Sequence, residues 1–318
     1  METRSPCLLP PPVKTPVVRL QNHGWRRLSI KDESKQLSGA FKYRGNFHKV
    51  SALPSNALLV AASTGNHAAG LAIAASAKRL QFIVFVPTGT STAKIERIRH
   101  FGGIIIPVKG GYSECEAEAR LYCQHERANL IHGFDDPDII SGHQSLFREV
   151  EDQIGCPDVA FVQIGGGGLI SAGIKEWFNA PTQIIGIEHE GAPAMQKSLA
   201  AGRLITLDSI AGIAEGLLVR RVGSLAFNAC TAYGLTVRIV RDADIYKAMR
   251  ILYDEAGIRA EGAGAAAVAA ALKSPDPQKE ALCVVTGGNI DECTWNSYTR
   301  ESTITDLDEP YGALMILR

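Results

Sequence analysis

Four consecutive glycines, Gly165 to Gly168, stand between the apolar run DVAFVQI (158–164) and the helical pattern LISAGIKEWF (169–178). A short apolar run closed by glycine reads as a buried strand, and a strand that turns on glycine into a helix belongs to an α/β fold with parallel strands. The same order recurs upstream. ALLVAAS (57–63) leads through Thr64-Gly65-Asn66 into the Ala-rich helix HAAGLAIAASAKR (67–79). QFIVFVP (81–87), the helix STAKIERIRHFGG (91–103), GIIIPVK (103–109) and the helix SECEAEARLYCQHE (113–126) continue the alternation. Downstream come the strand TQIIGIEHE (182–190), the helices DADIYKAMRILYDEAG (242–257) and GAGAAAVAAALK (262–273), and the strand ALCVVT (281–286) with Gly287-Gly288-Asn289 after it. A turn region, Asp152–Pro157, separates the two series, which suggests two lobes with a cleft. The 318 residues suit two units at about 150 residues each.

Lys and Arg total 33, as do Asp and Glu, so the formal net charge is zero. Nothing in that balance favours a nucleic-acid or anionic-membrane partner, and a small anionic ligand must be held locally. The seven cysteines (7, 115, 123, 156, 230, 283, 293) are dispersed, with no C-x-x-C and no metal-ligand spacing. Free thiols in a reducing compartment are the expected reading. METRSPCLLPPPVKTP lacks the apolar core of a signal peptide, and no run of about 18 apolar residues is present. A cytoplasmic protein without a membrane partner is expected.

Three corners carry chemistry. The glycine run lets backbone approach a ligand closely, and the helix after it adds orphan N–H groups and a positive dipole end, a seat for phosphate. It matches neither G-x-x-x-x-G-K-[ST] nor G-x-G-x-x-G, so a nucleoside triphosphate or dinucleotide is not indicated. Ala62-Ser63-Thr64-Gly65-Asn66-His67 forms a second strand-to-helix corner. Simple N-capping is one reading, favoured by residue preference, and a seat for a carboxylate is the other. In Ser38-Gly39-Ala40-Phe41-Lys42-Tyr43-Arg44-Gly45, Lys42 sits among apolar and aromatic neighbours, where desolvation would favour a nucleophilic amine.

Taken together, KDESKQLSGAFKYRG, ASTGNHAAGLA, IHGFDDPDII, IGGGGLISAG, GIAEGL, EGAGAAA and VVTGGN resemble, in order, the fold-type II pyridoxal-phosphate enzymes (the tryptophan-synthase-β-like family), in the threonine/serine dehydratase and serine racemase subgroup. The resemblance runs from Thr15-Pro16 to Asn289. It implies an α/β fold of two domains with parallel-rich sheets in both and pyridoxal 5′-phosphate in the cleft between them. The large domain would comprise 1–51 and 144–318, and a small mobile domain 52–143. Lys42 matches the Schiff-base lysine, and Gly165, Gly166, Gly167, Gly168 and Leu169 match the phosphate cradle. Asn66 matches the partner of the pyridoxal 3′-oxygen, Thr286 the hydroxyl facing the pyridine nitrogen, and Phe41 the residue beside the ring. Ser63, Thr64, Gly65, Asn66 and His67 match the loop that grips the amino-acid carboxylate. The implied reaction is β-elimination from a β-hydroxy amino acid such as threonine or serine, giving a 2-oxo acid and ammonia, with Lys42 as base at Cα. A neutral Thr286 would leave the ring a moderate electron sink, suiting loss of a β-substituent. A homodimer is implied as well.

The chain also departs from the subgroup. Gly142-His143-Gln144-Ser145 replaces Gly-Gln-Gly-Thr, and Gly133 replaces a proline; this region, His143 included, is expected on the substrate side. Thr64 stands where serine racemase carries a second base on the opposite face, so racemisation is expected to be minor. Glu215 is acidic but Ala211 stands near the position of a second carboxylate, so no obligatory metal is expected. Asp135 and Asp136 read as surface or turn residues. The chain ends soon after TGGN, without room for a regulatory ACT-like domain, which argues against an end-product-inhibited threonine deaminase. A β-replacement or threonine-synthase-like enzyme is the alternative reaction, and a silent phosphate-ligand-binding protein the alternative class.

Overall fold

The structure, a computed structural model, describes residues 10–305. From the N-terminus come β1 (Val17–Leu20), β2 (Arg27–Asp32), α1 (Lys42–Ala52), β3 (Leu59–Ala62), α2 (Asn66–Lys78), β4 (Phe82–Pro87), α3 (Thr92–His100), β5 (Ile104–Val108), α4 (Tyr112–Glu126) and β6 (Asn129–Leu130). The chain continues with α5 (Pro137–Ile154), β7 (Val159–Gln163), α6 (Gly168–Trp177), β8 (Gln183–His189), α7 (Ala194–Ala201), α8 (Ser224–Tyr233), β9 (Thr236–Val240), α9 (Asp242–Ala256), α10 (Gly262–Leu272), β10 (Glu280–Val285) and α11 (Glu292–Thr305). One sheet has the order β1-β2-β10-β7-β8-β9 and is parallel except for the β1–β2 pair. The other, β5-β4-β3-β6, is parallel throughout.

The alternation of apolar runs and helical patterns produces the parallel ladders directly. β3 is buried at all four positions, and α2 covers it with Ala68, Leu71, Ala72 and Ala75. α10 buries every residue from Gly262 to Ala271, so an all-round small-residue helix sits inside the larger lobe instead of on its surface. α5 was not evident in the sequence, yet it joins the two cores. Asp136 caps it by accepting from Asp138 N–H and Ile139 N–H, and Pro137 occupies the first turn, where a missing N–H costs nothing. Ile139 packs into the core of the smaller sheet, while Ile140, Leu146, Phe147 and Val150 pack into the larger. Residues 142–145, expected on the substrate side, are therefore mid-helix.

Beneath α1 lies a buried ionic cluster. Arg44, fully enclosed, donates to Glu33 at 2.7 and 2.8 Å and to Glu149 at 2.7 and 2.8 Å. Lys31 donates to Glu149 and to the Thr15 carbonyl. This network ties the segment around Thr15, β2, α1 and α5 into one block.

Candidate active site

The sheets' carboxyl ends and the helix starts that follow them face a cavity of 1170 Å³. Phe41, Lys42, Ser63, Thr64, Gly65, Asn66, His67, Gly165 to Gly168, Leu169 and Thr286 all line it. Of the site residues expected from sequence, only His143 lies off the wall. Its ring is 0% exposed and packs behind Phe41, with ring centroids 4.7 Å apart, and burial with nearby Lys42 holds its pKa well below the usual histidine value. Gly142 abuts Arg44 and His48, and Gln144 donates to Glu176, so this stretch faces neighbouring helices and not the cavity.

The glycine run is bent sharply between β7 and α6. Gly167 has φ +94°, a left-handed conformation that disfavours any side chain. A Cβ at Gly165 would collide with the Gly216 carbonyl, one at Gly166 with the Phe134 ring, and one at Gly167 with Ala226. Glycine is thus demanded by protein packing around the turn, and not, as the sequence suggests, by ligand approach alone. The first helical bond past the turn runs from Ser171 N–H to Gly167 O, leaving the preceding N–H groups of α6 at the wall with its positive dipole end. This backbone cradle, free of side chains and opposite an amine, fits a phosphate-bearing carbonyl cofactor.

Lys42 begins α1, and the Phe41 N–H before it donates to the Thr286 carbonyl at 3.0 Å, so amine and strand end are held together. Lys42 Nζ donates to the Gly133 carbonyl and sits 5.0 Å from the Phe41 ring centroid. Burial lowers its pKa from 10.5 to about 8, since no carboxylate compensates its charge.

The second corner does not behave as a helix cap. Gly65 is the cap residue of α2 and, among the described residues, no side chain caps the helix there; Ser63 Oγ accepts from Gly65 N–H, at 3.3 Å. Asn66 Nδ2 donates to Glu261 Oε1 at 2.6 Å, and Asn66 Oδ1 accepts from Asn289 Nδ2 at 2.7 Å. Its amide is thereby oriented from both sides. His67 Nε2 donates to the Ile131 carbonyl at 2.8 Å, leaving Nδ1 to accept from Asn46, and burial, with Lys42 adding, lowers its pKa to about 3. A neutral His67 braces the corner.

Glu261 and Asn289 escaped the sequence reading as individual residues; they lie within the EGAGAAA and VVTGGN motifs, but only the fold brings them onto Asn66. Asp135, read as a turn residue, accepts from Ser224 N–H and Leu225 N–H and so caps α8 across the cleft. The far wall carries Tyr112, Glu116, Arg120 and His132; Glu116 accepts from Arg120 at 2.6 Å and His132 at 3.2 Å, and those partners, His132 foremost, lower its pKa to about 2. Glu215 is exposed and paired with Lys94. Among the described residues no group of three or more His, Cys, Asp or Glu is arranged to hold a metal ion.

Residues 8–287 match the family described as pyridoxal-phosphate dependent enzyme. The chain belongs to that family. Among similar curated proteins, the L-threonine ammonia-lyase of Thermotoga maritima is 34% identical over 270 residues, covering 82% of this chain and 67% of that protein. The biosynthetic L-threonine dehydratase of Halalkalibacterium halodurans is 33% identical over 277 residues, 82% of this chain and 66% of that one. The chain thus spans about two thirds of the length of these relatives. Among solved structures, threonine deaminase isoform 2 from Solanum lycopersicum superposes with TM-score 0.85 at 27% identity, covering 92% and 84% of the two chains. Maize serine racemase gives 0.82 at 29% identity, covering 93% and 94%. The fold is that of the fold-type II enzymes, and the implied cofactor is pyridoxal phosphate.

Proposed function

We propose that this chain eliminates the β-hydroxyl group of a small amino acid, threonine or serine, to give a 2-oxo acid and ammonia. The observation that carries the reading is Lys42, an amine with its pKa lowered to about 8, set between the glycine cradle and the Ser63–His67 corner. The names of the similar curated proteins support the same reaction. When bound, the cofactor supplies a sink for the electron pair left at Cα. Lys42 Nζ would hold it and, as a neutral amine, would take the proton from the substrate's Cα. The N–H groups of Gly165 to Leu169 would hold the phosphate. Asn66 would donate its remaining amide proton to the 3′-oxygen, Phe41 would pack beside the ring, and Thr286 would offer a neutral hydroxyl toward the ring nitrogen. Ser63, Thr64 and Gly65 receive the substrate carboxylate, and Thr64 presents a weak second proton carrier, so racemisation is slow.

The unit spanning 52–143 moves against the remainder, and the cross-cleft bonds from Asn66 and Asp135 form on closure. The protein is a cytoplasmic homodimer; its six described cysteines are unpaired, which suits a reducing compartment, and no described helix is long and apolar enough to cross a membrane. Ammonia and 2-oxo acid are to be measured over a panel of β-hydroxy amino acids. Equal yields of the two support elimination. Borohydride fixation at Lys42 with no ammonia from any member, but product formation when a nucleophile and a β-substituted amino acid are supplied, would establish β-replacement instead.

A further inference from the structure

Gln163 is the last residue of β7, immediately before the glycine turn region, and it reaches the cavity although only 3% exposed. The β7–β10 ladder runs from Val159–Ala281 to Phe161–Cys283 and goes no further. The Gln163 side chain takes over from there. Its Nε2 donates to the Val284 carbonyl at 2.7 Å, the Gly264 carbonyl at 3.0 Å and the Ala263 carbonyl at 3.2 Å. A carboxamide has two N–H protons, so three carbonyls occupy them fully. The opposite rotamer would set Oε1 against three carbonyl oxygens, which fixes the orientation of the amide. Oε1 is consequently a rigid acceptor, buried and without a partner among the described residues. A buried carbonyl left unpaired is costly, so a donor supplied by a bound ligand is called for.

The ligand's chemistry narrows that donor. Phosphate, carboxylate and the deprotonated 3′-oxygen offer only acceptors. Gln163 is anchored to Val284, two residues before Thr286, and to the start of α10 beside Glu261. We propose that Gln163 Oε1 is a cofactor-binding acceptor on the ring-nitrogen edge of pyridoxal phosphate, receiving the ring N–H directly or through one bridging water. Thr286 alone offers the ring nitrogen a neutral hydroxyl; with Gln163 beside it the protonated ring is favoured, and the electron sink is stronger than Thr286 by itself implies. The inference rests on the placement of the ring nitrogen at Thr286 proposed above.

The holoenzyme is to be reconstituted with cofactor isotope-labelled at the ring nitrogen, and its magnetic resonance recorded in the parent, Gln163→Leu, Gln163→Glu and Thr286→Val. In Gln163→Leu the resonance should move toward the unprotonated ring and the cofactor should bind about tenfold more weakly, the loss of one buried hydrogen bond. Gln163→Glu sets a second oxygen against the three carbonyls that Nε2 serves, so it should not restore the parental state. A parental resonance and parental cofactor affinity in Gln163→Leu would overturn the proposal. A change in Gln163→Leu with none in Thr286→Val supports Gln163 and removes Thr286 from the ring nitrogen, so the two assignments fail separately. Should Gln163→Leu not fold, a crystal structure of the parent holoenzyme decides. A cofactor atom or cofactor-bound water within about 3.2 Å of Oε1 supports the assignment, and an Oε1 with neither within that distance overturns it.

Discussion

The two faces of α1 carry positive charge in opposite circumstances. Lys42 points into the cavity with one carbonyl as partner, whereas Arg44, two residues on, is enclosed by Glu33 and Glu149. Both are desolvated, and that would lower either pKa. For Arg44 the paired carboxylates reverse the effect and raise it; for Lys42 nothing does, and its pKa falls to about 8. Burial alone therefore does not make a reactive cation. Burial without a counter-charge does, and the neighbouring compensated cluster holds the helix that presents it.

The sharpest way to break this contrast is to delete each charge. Lys42→Ala should lower turnover at least about a thousandfold and abolish borohydride fixation. Its melting temperature, without cofactor, should fall little, because its partner, the Gly133 carbonyl, lines the cavity, where water can replace the amine. Arg44→Met should do the reverse: a loss of about 3–5 kcal/mol in denaturant unfolding, from Glu33 stranded in the core. Equal destabilisation by the two changes would erase the distinction. Gly167→Ala extends the test to the cradle. Its φ of +94° and the contact with Ala226 should cost about 1–3 kcal/mol, so stability and cofactor retention should decline together in melting and equilibrium-dialysis measurements.

The pH dependence gives a smaller effect with a definite sign. A lysine whose pKa drops from 10.5 to about 8 on folding binds fewer protons folded than unfolded between those values. The cofactor-free protein should therefore gain stability as pH rises through that window, and Lys42→Met should remove the gain. Denaturant midpoints across the window check it. Smallest of all, His143→Leu should change stability by within about 1 kcal/mol and leave the substrate ranking intact, because neither ring nitrogen has a partner among the described residues and the ring lies off the wall. A changed ranking would return residues 142–145 to the substrate side.

Local patterns that carry their own physics were legible. Strands bounded by glycine, such as 159–163, and the helix starts at Asn66 and Gly168 follow from runs of apolar and small residues. β9, half-buried at the sheet edge, and α5, whose buried face serves two cores, lack one clean period and stayed hidden. Within the site, Lys42, Asn66 and the glycines stand in continuous motifs. Glu261, Asn289 and Gln163 do their work through partners up to 251 residues away, and no spacing encodes that. The surroundings of Gly142–Ser145 were misread because no helix was read there, and helical geometry directs these side chains away from the cavity.

The position of β10 has a consequence for how the molecule is made. This strand, near the end of the described chain, lies between β2 and β7, both of which precede it by more than a hundred residues. The smaller sheet draws all four strands from 59–130 and can assemble as soon as that stretch leaves the ribosome. The larger sheet has a gap at its centre until residue 285 emerges. Lys42 is translated early but meets Thr286 only when that gap closes, so a nascent chain that stalls before β10 exposes an unfilled pair of strand edges in place of a catalytic cleft.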